Sequence, residues 1–102
     1  MHTLTALYIR PNESIPWFRE YCLANGNSYY NDYIQENFLD KGIMTQFTRQ
    51  ESEDKLLLTT EIKLTEEGLE KWLTDSIVVE SRTKLFDYNQ KNNITLAVFN
   101  MD

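Results

Sequence analysis

Between Ile43 and Leu64 the chain carries the pattern of a two-stranded hairpin, and no other stretch restricts the fold as much. Ile43-Met-Thr-Gln-Phe-Thr-Arg49 alternates apolar and polar residues, as a half-buried strand does. Gln50 to Asp54 is a polar break, and Lys55 to Lys63 follows as a second strand of Leu, Thr and Ile. Two such runs joined by a few polar residues predict antiparallel pairing. A helical pattern precedes the hairpin and another follows it. Each is bounded on its far side by a candidate terminal strand, which places the hairpin at the centre of a sheet.

The first of those strands is Thr3 to Arg10, with Leu4, Ala6, Tyr8 and Arg10 on one side and Thr3, Thr5, Leu7 and Ile9 on the other. Pro11 ends it, because proline has no N–H to give to a ladder. Ser14 is the predicted N-cap of a helix with Pro16 in its first turn. Ile15, Phe18, Tyr21 and Cys22 repeat along it at helical spacing, and Asn25-Gly26 stops it, both residues tolerating a left-handed backbone. A second helical pattern starts at about Ser28, with Tyr30, Tyr33, Ile34 and Phe38 as its stripe and Lys41-Gly42 as its end.

Beyond the hairpin, Thr65-Glu66-Glu67 is a helix start: a hydroxyl cap, then two acids near the positive end of the helix dipole. Leu69, Trp72 and Leu73 form its expected buried stripe. Thr74-Asp75-Ser76 interrupts that helix and caps another. Ile77-Val-Val favours strand by propensity, but Val78, Arg82, Leu85, Phe86 and Asn89 recur at helical spacing, so a helix is predicted over 76–89. Lys91-Asn92-Asn93 is a turn, and Ile94 to Phe99 is the last strand.

Strand, broken helix, strand, strand, broken helix, strand is the β-α-β-β-α-β order of the ferredoxin-like arrangement. The expectation is a single α+β domain over 1–102, with a four-stranded antiparallel sheet and the helices on one face. The other face, carrying side chains such as those of Leu56 to Leu58, is left open. A second copy stacked sheet against sheet would cover it, so a homodimer is expected.

The totals exclude several classes. At 102 residues, 41% of them hydrophobic, the chain can bury one core but not two. A formal charge of −6 disfavours non-specific nucleic-acid binding, which rests on clustered Lys and Arg. The acids are scattered among basic residues, as on a solvated surface. Cys22 is the only cysteine, which rules out an internal disulfide and a thiolate zinc cluster. No apolar run approaches the ~20 residues of a membrane-spanning helix, and the start Met-His-Thr-Leu-Thr lacks the regions of a signal peptide. A cytoplasmic setting with no membrane partner is expected.

No catalytic constellation stands out. His2 is the sole histidine and lies at the start of the chain, where a general base is poorly held. Cys22 falls on the predicted buried stripe and reads as a core thiol. Glu51, Glu53 and Asp54 read as a solvated turn rather than a cation site. Neither a P-loop nor Gly-x-Gly-x-x-Gly occurs, and no cofactor is expected. The suggestive group is Tyr29, Tyr30 and Tyr33 with Trp17 and Trp72, because aromatics with a polar tip line small-molecule pockets. Arg82, on the apolar stripe of its helix, could pair with an anionic ligand. Tyr30, Tyr33, Trp72 and Arg82 are therefore the candidate ligand-binding residues. The competing reading makes the aromatics helix-to-sheet core and lets Arg82 reach out to water.

From Gly42 to Phe86 the chain resembles the dimeric α+β barrel superfamily, nearest to the antibiotic-biosynthesis-monooxygenase-like (ABM-like) domains. The resemblance rests on Gly-Ile-Met-Thr-Gln-Phe opening the second strand, on Leu-Leu-Leu-Thr-Thr-Glu-Ile as the third, and on the helix Glu-Glu-Gly-Leu-Glu-Lys-Trp-Leu. It implies a pocket between sheet and helices that can take an aromatic polyketide without a cofactor. Glu61 and Trp72 stand where family members often carry an acid and an aromatic. The aromatic that usually follows the acid is absent, Glu61 being followed by Ile62-Lys63, so no catalytic role carries over. The Asn-, Tyr-, Ile- and Lys-rich, acidic composition also resembles open reading frames of AT-rich bacteriophages. The functions expected are thus a small dimeric protein, non-catalytic or binding a small aromatic molecule; an ABM-like monooxygenase; an acidic phage-encoded protein that binds a host protein; or a structural dimer module.

Overall fold

A computed structural model describes residues 1–26 and 29–101, apart from the side chains of 29–31, 100 and 101. Its elements run β1 (His2–Ile9), α1 (Phe18–Ala24), α2 (Tyr29–Ile34), β2 (Met44–Glu51), β3 (Leu57–Leu64), α3 (Glu66–Thr74), α4 (Ser76–Lys91) and β4 (Thr95–Met101). A π-turn over Gln35–Leu39 continues α2. The strands form one antiparallel sheet in the order β2-β3-β1-β4, so the hairpin is not at its centre as expected. β3 and β1 are the central strands, and β2 is an edge because β1 pairs with β3 on its other side. This is the ferredoxin-like α+β fold that the element order predicts. Among the described residues no helix is long and apolar enough to cross a membrane.

Simple alternation along β2 would send Met44 and Phe47 to opposite faces. A bulge at Thr45 prevents this: Met44 pairs with Leu64, and Gln46 then pairs with Lys63. Both Met44 and Phe47 consequently face the helices. There they join Leu4, Ile62 and Leu64 from the sheet and Ile34, Phe38, Leu69, Trp72 and Val78 from the helical layer. The same pleat corrects the expectation for Leu56 to Leu58. Leu57 points to the open face and is 36% exposed, whereas Leu58 turns inward and is 6% exposed.

The helix starts explain how the layers join. Thr65 caps α3 as predicted, its Oγ1 accepting the Gly68 N–H at 3.0 Å. Its own N–H donates to the Ile43 carbonyl, also at 3.0 Å, which pins the start of α3 to the entry of β2. Gly68 is the consequence of that approach, since a Cβ there would lie 2.0 Å from the Ile43 oxygen. Asp75 is the single residue between α3 and α4 and caps the latter, Oδ1 accepting the N–H of Ile77 at 2.9 Å and of Val78 at 3.2 Å. Its other oxygen accepts from the Tyr33 hydroxyl at 2.5 Å and pairs with Lys71.

The first helix departs from its prediction. Ser14 does not cap it; the Ser14 N–H donates to Asn12 Oδ1 in a local turn, and the helix starts at Phe18 with Trp17 in the N-cap position. Trp17 is drawn inward because its indole N–H donates to Glu51 Oε2 at 2.7 Å. The helix itself contains no buried residue, so Cys22 is half-exposed rather than a core thiol. The stops behave as read: Gly26 and Gly42 adopt φ of 78° and 72°, and Asn93 adopts 58°.

Two stability predictions follow from these joints. Gly68→Ala forces α3 off the Ile43 carbonyl and should cost about 2 kcal/mol in denaturant unfolding, an overpacking penalty. An unchanged unfolding midpoint would contradict the close approach. For Asp75, burial raises the pKa, but hydrogen bonds from Tyr33, the Val78 N–H, Lys71 and the Ile77 N–H outweigh it and hold the carboxyl below its ordinary value. The unfolded state therefore takes up this proton first as the pH falls. The stability Asp75 confers is present above pH ~4 and is lost as the pH drops through its folded value. Asp75→Asn keeps the cap but loses the charge that Tyr33 and Lys71 engage, and should cost about 1 kcal/mol near neutral pH and flatten the acid limb of the stability profile.

Candidate functional site

Large side chains would be expected all along a strand face that lies under helices. Across the middle of this sheet they are missing. Arg49, Thr60, Ala6 and Val98 lie side by side on the inner face, one from each strand, and the two central ones are small. The rows on either side are bulky: Phe47, Ile62 and Leu4 in one, Leu58, Tyr8 and Leu96 in the other. A small row between two large ones leaves a trough. Roofed by Trp17, Phe18 and Cys22, by Trp72 of α3 and by one face of α4, the trough becomes a cavity of about 510 Å3.

Its surface is mostly carbon, with a few polar groups set into it. Tyr8 stands at the deep side, its ring edge-on to Trp17 with centroids 6.5 Å apart. Burial pushes the Tyr8 phenol above its ordinary pKa, while a hydrogen bond with Thr60 and the charge of Arg49 pull partly the other way. Arg49 bridges the trough to α1 through both oxygens of Glu20, at 2.9 and 3.2 Å. Cys22 borders the same space, and burial raises its thiol pKa despite the nearby Lys84 charge. That direction leaves the thiol protonated near neutral pH and argues against a thiolate nucleophile.

Arg82 faces the cavity from α4. One of its nitrogens donates to the Trp72 carbonyl at 2.6 Å, and the guanidinium carbon lies 5.8 Å from the Trp72 ring centroid. No carboxylate among the described residues pairs with it. Trp72 itself is held edge-on by Phe38, 5.6 Å away at 83°. At the cavity's edge Leu73, Phe86 and Val98 are exposed, Leu73 by 55% and Val98 by 62%. Leu73 therefore belongs to a rim and not to the buried stripe read from α3.

Of the four candidate residues, the structure brings Trp72 and Arg82 together on the cavity wall. Tyr33 sits elsewhere: its hydroxyl donates to Asp75, and that hydrogen bond, burial and the carboxylate's charge push the phenol up to about 12. The side chain of Tyr30 lies outside the described residues. Glu61 and Trp72 do not meet, because Glu61 lies on the open face, where Gln46 Nε2 donates to it at 2.9 Å. His2 is held within β1, its Nε2 2.7 Å from Glu66 Oε1. In the hairpin turn Glu51 is engaged by Trp17 and Arg10, and Asp54 by Ser52 and the Leu56 N–H, so these acids do not converge.

Sequence reasoning did not assign Tyr8, Phe47, Arg49 or Asn89 to a site. The available signal was Ala6 and Thr60, small residues in mid-strand, but only the cross-strand register shows that they are neighbours.

No protein-family model matches the chain, and no curated protein matches it. Among solved structures it is similar to a candidate antibiotic biosynthesis monooxygenase from Deinococcus radiodurans. The match has a TM-score of 0.69, covers 100% of this chain and 91% of the other, and has 10% sequence identity. The two share the ferredoxin-like fold seen in ABM-like domains.

Proposed function

We propose that this protein binds an apolar small molecule with an acidic group in the cavity between sheet and helices. The observation that carries the reading is the cavity itself, about 510 Å3 of largely apolar space with Arg82 on its wall. Pockets for small molecules commonly have this size and this sparse polar pattern. An arginine with no carboxylate partner among the described residues, in a largely apolar wall, favours an anionic group. A monooxygenase of the ABM-like type, acting on an aromatic polyketide without a cofactor, is the second reading. The fold it shares with the Deinococcus radiodurans protein supports it.

Anilinonaphthalene sulfonate is a suitable probe, being aromatic and anionic. It should bind one per chain and quench Trp17 and Trp72, both of which line the cavity. Ala6→Leu, which fills the trough from the central strand, should weaken it about tenfold, and Arg82→Gln by a similar factor. Binding that ignores both substitutions would remove the reading. Dioxygen uptake with an electron-rich phenolic aromatic, measured under metal chelation, would separate the oxygenase from a simple binder.

The open sheet face supports a homodimer as the working state. Ile9, Leu57 and Phe99 are exposed there among Thr and Gln side chains. Leu57→Asp should halve the mass seen by light scattering with circular dichroism unchanged. Leu58→Asp, which buries a charge under the helices, should instead unfold the chain. A monomeric parent protein would rule the dimer out.

A further inference from the structure

Resting on the cavity reading, one feature of α4 narrows the ligand further. Arg82, Leu85, Phe86 and Asn89 all line the cavity, at the i, i+3, i+4 and i+7 spacing of a single helix face. Arg82 and Asn89 are therefore displaced along the wall by about 10 Å, seven residues of rise. Only carbon separates them, from Leu85 and Phe86.

Asn89 is 4% exposed, and its amide nitrogen is buried without a hydrogen-bond partner among the described residues. Its backbone carbonyl, by contrast, is used, accepting the Ile94 N–H at 2.8 Å. A buried donor left unmade costs free energy, and replacing it by an apolar group of the same shape would relieve that cost. No hydrogen bond of that nitrogen among the described residues offsets it. A hydrogen-bond acceptor brought in by a ligand would.

We infer that the ligand is a rigid molecule about 10 Å between its polar ends. It carries an acid at the Arg82 end and a neutral hydrogen-bond acceptor, such as a ketone, at the Asn89 end. The body between the two lies over the small row of the sheet, between Trp72 and Trp17. Asn89 thus selects for the acceptor, whereas Arg82 selects for charge.

The test uses two probes of the same shape, 6-acetylnaphthalene-2-carboxylate and 6-isopropylnaphthalene-2-carboxylate, titrated by calorimetry into the full chain. The acetyl probe should bind about tenfold more tightly, the contribution of one hydrogen bond to an otherwise unpaired buried donor. Asn89→Leu should erase that preference while still binding both, and Arg82→Gln should weaken both equally. Asn89→Leu should also melt at or above the parent temperature, which an asparagine needed for packing would not allow. Equal binding of the two probes to the parent would overturn the inference and leave the cavity reading intact. So would a preference that survives in Asn89→Leu. If neither these probes nor anilinonaphthalene sulfonate binds, the cavity reading itself fails and takes the inference with it.

Discussion

A buried guanidinium ties the deep end of this molecule together. Arg10 follows β1 and is almost fully enclosed. Its Nε donates to the Lys55 carbonyl in the hairpin turn and one terminal nitrogen to the Ile15 carbonyl ahead of α1, both at 2.7 Å. The other terminal nitrogen meets Glu51 at 3.3 Å, and the Trp17 ring lies 4.3 Å from the guanidinium carbon. A charge this enclosed is tolerated only when it is paired and its donors are used. Satisfying it forces three separate segments to meet: the end of β1, the β2–β3 turn and the approach to α1. Glu51 then also receives the Trp17 indole N–H, so the same node orients one wall of the cavity.

Local chemistry made most of the fold legible. The hairpin alternation, the Thr65 and Asp75 caps, the glycine stops and the helical spacing from Val78 to Asn89 each depend on residues close in sequence. Ser14 misled because the competing demand was distant: Glu51, in another strand, draws Trp17 in and delays the helix start. The site was legible only in part, for the same reason. Trp72 and Arg82 could be named from their helix faces. The trough could not, because it arises when Ala6, Thr60 and Val98 become neighbours across three strands. A bulge at Thr45 further decides which β2 residues share that face. Neither register nor bulge is written in any single segment.

At 10% identity, likeness to a solved structure speaks for the path of the backbone and not for chemistry. The chemistry has to come from side chains, and here it is sparse. Apart from the Arg49–Glu20 bridge, the cavity's polar groups among the described residues are Arg19 and Arg82 without a carboxylate partner, the Asn89 amide and the Thr5 hydroxyl without a hydrogen-bond partner, the Cys22 thiol, and the Tyr8 phenol bonded to Thr60. In the proposed binding role the protein supplies dryness and orientation to the bound molecule.

The weak anchoring of α1 bears on time rather than affinity. No residue of that helix is buried, yet Phe18 and Cys22 close the cavity from above. Its fastenings are the Arg49–Glu20 bridge and the stacking of Phe18 and Tyr21 on Tyr88. Segments with so little buried surface open well before the whole domain does. The residence of a molecule beneath it would then depend on the opening of this helix as well as on the exposed rim at Leu73, Phe86 and Val98. A ligand could be exchanged many times over without the sheet, or the helices that stand on it, ever coming apart.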